Sequence, residues 1–328
     1  MEPVAALLEI ASLLERERAS RYRAKAFRQA AAVFESLPAD VRTDPNRLRA
    51  APGIGASTFS VIRQAQEGMV PDYLVELRGD VEPERISDLR RKLRGDLHAH
   101  TDWSDGTTSI AVMAAAARAQ GHEYQAITDH SPRLRVARGL SAERLREQIP
   151  LVRAESGDGF TLLAGIEVDI LDDGVLDQED GLLGDLDIVV ASVHSKLRMD
   201  ARSMTRRMLA AVAHPRVNVL GHCTGRLVQG ERGTRPPSEF DAAAVFAACA
   251  ENGVAVEINS RPERQDPPDE LIALALEAGC LFSIDSDAHA PGQLSLLDHG
   301  AERAERAGVP ASRIVTTWGL ERLLAWAE

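Results

Sequence analysis

Asp96-Leu97-His98-Ala99-His100 ends one short apolar stretch of this chain, and five further stretches end in the same chemistry. They are Ile127-Thr128-Asp129-His130, Gly165-Ile166-Glu167, Ser192-Val193-His194, Leu220-Gly221-His222 and Asp285-Ser286-Asp287-Ala288-His289. A seventh stretch, Val254-Ala255-Val256, runs into Glu257-Ile258-Asn259. Between the stretches lie alanine-rich helical patterns at 110–120, 142–155, 201–213, 241–252, 269–278 and 301–308. Strand then helix, repeated, calls for a parallel sheet with crossover connections. An open doubly wound sheet would give the same alternation but gather its chemistry at one switch point. Here metal-type side chains end nearly every strand. That favours an α/β barrel of seven strands, whose carboxyl ends all meet at one rim.

Spacing sharpens the expectation. His98 and His100 stand two apart, so on a strand both imidazoles face the same side; Asp287 and His289 repeat the spacing. Asp105 follows in the polar turn Asp102-Trp103-Ser104-Asp105-Gly106, where glycine permits tight backbone geometry. His130, Glu167, His194 and His222 each come from another strand end. One tetrahedral ion uses about four ligands, so this set suits two or three ions sharing carboxylates. A single strand-end histidine is ordinarily just a hydrogen-bonded polar group. Here six of the nine histidines stand at strand ends. The other three, His122, His214 and His299, fall in helices or their flanks and read as structural or solvent-facing.

The bulk numbers set limits. With 328 residues, the chain has room for one large barrel and a small extra domain. No apolar run is long enough for a membrane helix, and the acidic start Met1-Glu2-Pro3 is unlike a signal peptide. Cys223, Cys249 and Cys280 lack paired spacing and read as reduced thiols, which places the protein in the cytoplasm. Net charge is −12, unevenly spread: residues 1–95 carry 16 Lys+Arg against 14 Asp+Glu, the remainder 22 against 36. The mildly basic front is therefore the better handle for nucleic acid.

Residues 1–80 read as helical. Leu7, Leu8, Ala11 and Leu14 form one apolar stripe; Tyr22, Ala26, Phe27, Ala30, Val33, Phe34 and Leu37 form a second, ended by Pro38. A short helix starts at Asp44-Pro45, with aspartate as its cap. Pro52-Gly53-Ile54-Gly55 follows, then Ser57 as a cap and a helix to Glu67, closed by Gly68. Tyr73, Leu74 and Leu77 suggest one more turn of helix. The charged stretch 81–94, holding Pro83, reads as a linker before a domain over 95–328.

At this point two resemblances enter. Leu97-His98-Ala99-His100-Thr101 with Ser104-Asp105-Gly106, and the later strand ends through Ser286-Asp287-Ala288-His289, resemble the PHP (polymerase and histidinol phosphatase) superfamily. The nearest likeness is to the C-terminal domain of bacterial X-family DNA polymerases, and it covers residues 95–328 in order. The resemblance implies a distorted seven-stranded β/α barrel around three divalent ions, whether zinc, manganese or iron. By position, His98, His100, Glu167 and Asp287 would hold one ion. Glu167, His194 and His222 would hold a second, with Glu167 as the bridge; Asp105, His130 and His289 would hold the third. Cys223 stands where proline is usual and offers a thiol close to the cluster.

The front end resembles the helix-hairpin-helix domain of X-family polymerases, through Tyr22-Arg23-Ala24-Lys25-Ala26-Phe27 and Pro52-Gly53-Ile54-Gly55. Gly53, Ile54 and Gly55 would bring backbone amides to a DNA phosphate. Arg23 and Lys25 belong to a basic run with Arg16, Arg18, Arg21 and Arg28 that would add charge. Only residues 81–94 separate the two regions, too few for fingers and palm, so the chain is not a polymerase. The helix 57–67 contains no lysine, which argues against Schiff-base lyase chemistry.

The expected function is metal-dependent hydrolysis of a phosphate ester, with Glu167 central and Arg226 and Lys196 as candidate phosphate clamps. Glu257 and Asn259 are expected to orient ligands. With DNA as partner, the reaction would be 3′-end processing of the repair type: 3′–5′ exonuclease, abasic-site endonuclease or 3′-phosphatase. The alternative is a phosphomonoesterase acting on a metabolite such as histidinol phosphate. A non-enzymatic DNA-binding module is disfavoured by the complete ligand set. Oligomeric state is open.

Overall fold

The structure, a computed structural model, describes residues 1–17, 21–79, 87–229 and 233–328. Arg18 of the basic run, residue 80 and residues 81–86 of the linker, with Pro83, lie outside the described residues. Contacts divide the chain into two compact units, Met1–Arg85 with Pro291–Gln293, and Ile86–Ala290 with Leu294–Glu328.

The first unit is built of α1 (Pro3–Arg16), α2 (Arg21–Ser36), α3 (Ala39–Thr43), α4 (Pro45–Ala50), α5 (Ala56–Gln66) and α6 (Asp72–Arg78). Its core is Ala6, Leu7, Ile10, Ala11 and Leu14 against Ala24, Phe27, Ala30 and Phe34, with Leu48, Ile62 and Leu74. The two apolar stripes are thus rotated from expectation. Leu8, Tyr22 and Ala26 are exposed, because Ile10 and Ala24 sit nearer the helix contact. Asp44 caps α4 as expected, accepting the Asn46 and Arg47 amides. Ser57 is not a cap: the cap lies two residues earlier, at Gly55, whose amide donates to Thr58 Oγ1.

The second unit holds seven parallel strands in sequential order: β1 (Gly95–Asp96), β2 (Tyr124–Ile127), β3 (Thr161–Asp169), β4 (Ile188–Ser192), β5 (Val219–Leu220), β6 (Ala255–Asn259) and β7 (Leu281–Asp285). Helices α7 (Ile110–Ala119), α8 (Ala142–Ala154), α9 (Asp180–Gly184), α10 (Ala201–Val212), α11 (Ala242–Asn252), α12 (Asp269–Glu277), α13 (Leu297–Arg306) and α14 (Leu320–Ala327) complete it. A parallel bridge between Ala99 and Ala288, with the His100 amide donating to Ala288 O at 2.8 Å, brings the last strand back to the first and nearly closes the barrel.

Strand alternation positions the site. On β3, Leu162, Ala164, Ile166 and Val168 pack outward under the helices, while Leu163, Glu167 and Asp169 stand on the other face. The inner face is apolar at its amino end, where Leu163, Val190 and Ala255 meet Val315, Trp318 and Leu323 from the chain's C-terminal segment. It turns polar at the carboxyl end. Residues 87–94, read as linker, fold onto the barrel: Leu89 and Leu93 are buried, and Arg90 pairs with Asp298 at 2.9 Å. Helix α13 begins at Leu297 instead of 301, continuing from a 3-10 turn.

Candidate metal centre

The nine side chains come together. Glu167 stands in the middle: its Oε2 lies 3.4 Å from His98 Nε2 and 3.6 Å from His100 Nε2, and its Oε1 lies 3.2 Å from His194 Nε2 and 2.9 Å from His222 Nε2. Asp287 Oδ1 is 3.4 Å from His100 Nε2. Asp105 Oδ1 is 3.4 Å from His130 Nε2 and 3.3 Å from His289 Nε2. His130 also approaches Glu167 Oε2, at 2.8 Å through Nδ1. The loop bearing Asp105 depends on Gly106, where a Cβ would come within 2.7 Å of His100 O.

These atoms crowd without pairing. His98 Nε2, both nitrogens of His100 and of His222, His194 Nε2, Glu167 Oε1 and Asp105 Oδ1 are buried and have no hydrogen-bond partner. The Nε2 atoms of His98, His100, His194 and His222 face carboxylate oxygens at 2.9–3.6 Å, as Asp105 Oδ1 faces His130 Nε2. Around a tetrahedral ion with bonds near 2.0–2.2 Å, ligand atoms sit about 3.3–3.6 Å apart. The donor set therefore fits divalent cations. Three ligating groups emerge, His100–Asp105–His130–His289, His98–His100–Asp287 and His130–Glu167–His194.

Electrostatics agree. Burial alone would raise the Glu167 carboxyl, but the His194, His98 and His130 imidazoles hold it well below its usual range. Burial would also raise Asp287, and Arg264, His100 and Arg261 hold it well down. Burial opposes charge on His98, yet Glu167 and Glu257 draw it well upward; Glu167 and Asp105 likewise draw His130 up to about 10. His100 goes the other way, down to about 3, through burial and the neighbouring His289 and His130 rings. Two ionised carboxylates in a buried cavity demand positive charge.

A second ring of residues aims the imidazoles. Glu257 Oε1 lies 2.6 Å from His98 Nδ1, and Asp169 Oδ1 lies 2.6 Å from His194 Nδ1. His289 Nδ1 lies 2.9 Å from Asp287 O. Each contact leaves Nε2 facing the cage. Asn259 Nδ2 donates to Asp287 Oδ2 at 3.1 Å and to Glu257 Oε2 at 3.2 Å, the orienting role expected of that pair. Asp129 accepts from the Thr101 amide at 2.8 Å, Thr101 Oγ1 at 2.6 Å and Gln148 Nε2 at 2.6 Å, fastening the start of the Asp105 loop.

Sequence reasoning missed Asp169, Arg261 and Arg264. Arg264 Nε donates to Asp287 Oδ2 at 3.0 Å, and Arg261 Nη1 to Asp287 O at 2.8 Å. A signal existed for Asp169, two residues past Glu167 and so on the same strand face. The arginines follow the β6 strand end in Ser260-Arg261-Pro262-Glu263-Arg264 and carried no spacing rule. The two expected clamps have protein partners of their own. Arg226 Nε donates to the Arg264 and Gln265 carbonyls, at 3.1 and 2.9 Å, and Lys196 pairs with Asp172 at an exposed position. Both side chains find their acceptors in the loop after a neighbouring strand, Arg226 in the one after β6 and Lys196 in the one after β3. Cys223 is buried with Sγ 3.9 Å from Asp266 Oδ1, and burial beside that carboxylate pushes its thiol well up.

A family model of the PHP domain matches residues 96–261. The chain belongs to the PHP family. A helix-hairpin-helix family model matches residues 1–68. Among PHP relatives, the DNA polymerase/3′-5′ exonuclease PolX of Bacillus subtilis is 35% identical over 239 residues, 72% of this chain but only 41% of that protein. A probable phosphatase of Vibrio parahaemolyticus is 30% identical over 233 residues, 68% of this chain and 88% of the relative. A solved histidinol phosphate phosphatase from Lactococcus lactis superposes with TM-score 0.48 at 18% identity, covering 66% of this chain and 94% of that one.

In the helix-hairpin-helix unit, Gly53 adopts φ 92° and Gly55 leads into α5. Both line a cavity of about 620 Å³ with Arg23, Ser57, Gln64 and Tyr73. The Arg23 guanidinium stacks 5.7 Å from the Tyr73 ring centre and donates to its hydroxyl. Lys25 is exposed; Ile54 is nine-tenths buried, so its side chain belongs to the core and only its backbone is offered.

Proposed function

We propose that this chain, a metal-dependent phosphoesterase of the PHP family, processes DNA 3′ ends or abasic sites. Residues 1–80 would grip the DNA backbone, 81–94 connect, and 95–328 hydrolyse the ester. The observation that carries the phosphoesterase reading is the convergence of nine metal-type side chains on one buried cage, seven of them with buried polar atoms that lack a hydrogen-bond partner. Divalent ions held there, three in the proposed partition, would supply Lewis acidity and a water of lowered pKa.

The chain's own residues do the rest. Glu167 presents one oxygen to His98 and His100 and the other to His194 and His222, so it would join two ion positions. Glu257 and Asp169 fix the tautomers of His98 and His194. Arg264 offsets the charge of Asp287 and fixes its rotamer. The exposed edge of the cage is formed by Asp105, His194 and His289, whose side chains are 24%, 14% and 12% exposed, while His98, His100 and Glu167 are sealed. A phosphate ester entering there meets the Asp105–His130–His289 group first. Burial of the inner ligands strengthens the electrostatics within.

The DNA assignment is supported by the helix-hairpin-helix match, whose α5 start leaves amides free of intrahelical partners. A metabolite phosphomonoesterase is the second reading. It is favoured by the probable phosphatases, one of which aligns over 88% of its own length with 68% of this chain. Metal-loaded full-length protein, offered 3′-recessed DNA, abasic DNA and histidinol phosphate, separates the two. DNA turnover that falls on Arg23→Ala with Lys25→Ala supports the first. Efficient histidinol phosphate hydrolysis without DNA cleavage establishes the second.

A further inference from the structure

One segment at the mouth of the cage has a shape and chemistry that metal holding does not use. It is Ser131-Pro132-Arg133-Leu134-Arg135-Val136-Ala137-Arg138-Gly139-Leu140, which leaves β2 directly after His130. It carries three arginines and no acid, in a region 96–328 where Asp and Glu outnumber Lys and Arg by 36 to 22. Its tip is apolar: Val136 is 93% exposed, the most of any large hydrophobic residue among those described.

The segment is anchored at every turn. The Leu140 amide donates to His130 O at 2.7 Å, closing the loop on a cage residue. Arg138 donates to Asp102 O at 2.8 Å and also to Ser104 O, pinning it to the turn that carries Asp105. A Cβ on Gly139 would fall 1.8 Å from Ser131 O, so the closure requires glycine. Ala137 and Leu140 are buried beneath, and the Arg133 amide donates to Asp177 Oδ2 at 2.6 Å. Arg133 and Arg135, by contrast, are exposed and form no side-chain ion pair among the described residues. Full exposure of a valine on so fixed a loop is not explained by folding.

We propose that the 131–140 loop is a nucleic-acid lip, in which Arg133 and Arg135 take backbone phosphates flanking the scissile ester and Val136 packs against a neighbouring base or sugar. The proposal rests on the DNA reading above. Val136 is four residues from Leu140, so it lies within about 14 Å of the loop's closure on His130. With bases along a strand about 3.4 Å apart, that reach spans only the few nucleotides beside the cleaved bond. Apolar wedges between bases and paired arginine–phosphate contacts are the means by which proteins hold strands without reading sequence.

The test uses full-length, metal-loaded protein with 3′-recessed DNA, abasic DNA and p-nitrophenyl phosphate. In Arg133→Ser with Arg135→Ser, the ratio of DNA cleavage to p-nitrophenyl phosphate hydrolysis is expected to fall about tenfold, through KM. The log–log salt slope of DNA binding should fall by about 1.4–1.8, the share of two phosphate contacts. Val136→Ser should lower the same ratio about threefold to tenfold with the salt slope unchanged. Unchanged ratio and slope in the double variant, with DNA still cleaved, would remove the lip and leave the DNA reading standing. Wild-type protein that hydrolyses p-nitrophenyl phosphate but neither binds nor cleaves DNA would overturn both.

Discussion

Replacing Glu257 by glutamine changes one atom's chemistry in a sealed position, and its consequences can be worked from the geometry. Glu257 Oε1 lies 2.6 Å from His98 Nδ1, while Oε2 accepts the His222 amide at 2.5 Å and Asn259 Nδ2 at 3.2 Å. All four residues are buried. A carboxylate serves donors on both sides; a glutamine has one acceptor oxygen and one NH2. Whichever way it turns, a buried donor then faces a donor, at a cost of about 1–3 kcal/mol. If the NH2 faces His98, the imidazole loses the contact that keeps Nε2 in the cage, and metal affinity should fall about 10–100-fold. That corresponds to about 1.4–2.8 kcal/mol of binding. Chelator competition followed by elemental analysis measures the affinity, and thermal unfolding of metal-free protein measures the folding cost. A Glu257→Gln protein that keeps its full metal content at the same chelator concentration, and melts with wild type, would refute the orienting role.

Three other outcomes are expected. Glu167→Ala should lose at least two ions and all ester hydrolysis, because both oxygens face separate imidazole sets; unchanged stoichiometry by elemental analysis would contradict bridging. Asp129→Ala should release the Thr101 and Gln148 contacts that hold the Asp105 loop, lowering stability by about 1–3 kcal/mol and raising KM for any ester, measured by denaturant unfolding and steady-state kinetics. His122, buried beside Arg90 and away from the cage, is held down to about 4, first by burial and then by that arginine. Its unfolded value is near 6.5, so the stability it protects is intact above pH 6.5 and lost as pH falls toward 4, by up to about 3 kcal/mol. His122→Leu should therefore show a shallower loss of stability than wild type across that window in metal-free protein, and parallel curves would refute the assignment.

Much was legible in the chain itself, for physical reasons. Seven strands and their helices follow from alternation and spacing, since side-chain periods of 2 and 3.6 are fixed by backbone geometry. The His98–His100 and Asp287–His289 pairs were readable because an i, i+2 spacing on a strand puts both groups on one face. Asp44 capping α4 was readable because a cap acts locally. The stripe on α2 was misjudged at Tyr22 and Ala26: one helix offers several plausible faces, and only the packing of α1 and α5 selects among them.

What the amino-acid order determined by itself was the inventory: a strand–helix repeat, nine ligand-type side chains at its joints, and a glycine hairpin between helices ahead of it. Tertiary structure alone decided the partners. It gave Glu167 its two faces, set Glu257 and Asp169 behind His98 and His194, drew Arg264 to Asp287, and joined Arg226 to the Arg264 and Gln265 carbonyls and Lys196 to Asp172. Those outcomes depend on distances between residues far apart along the chain. Barrel closure sets such distances; no local spacing encodes them.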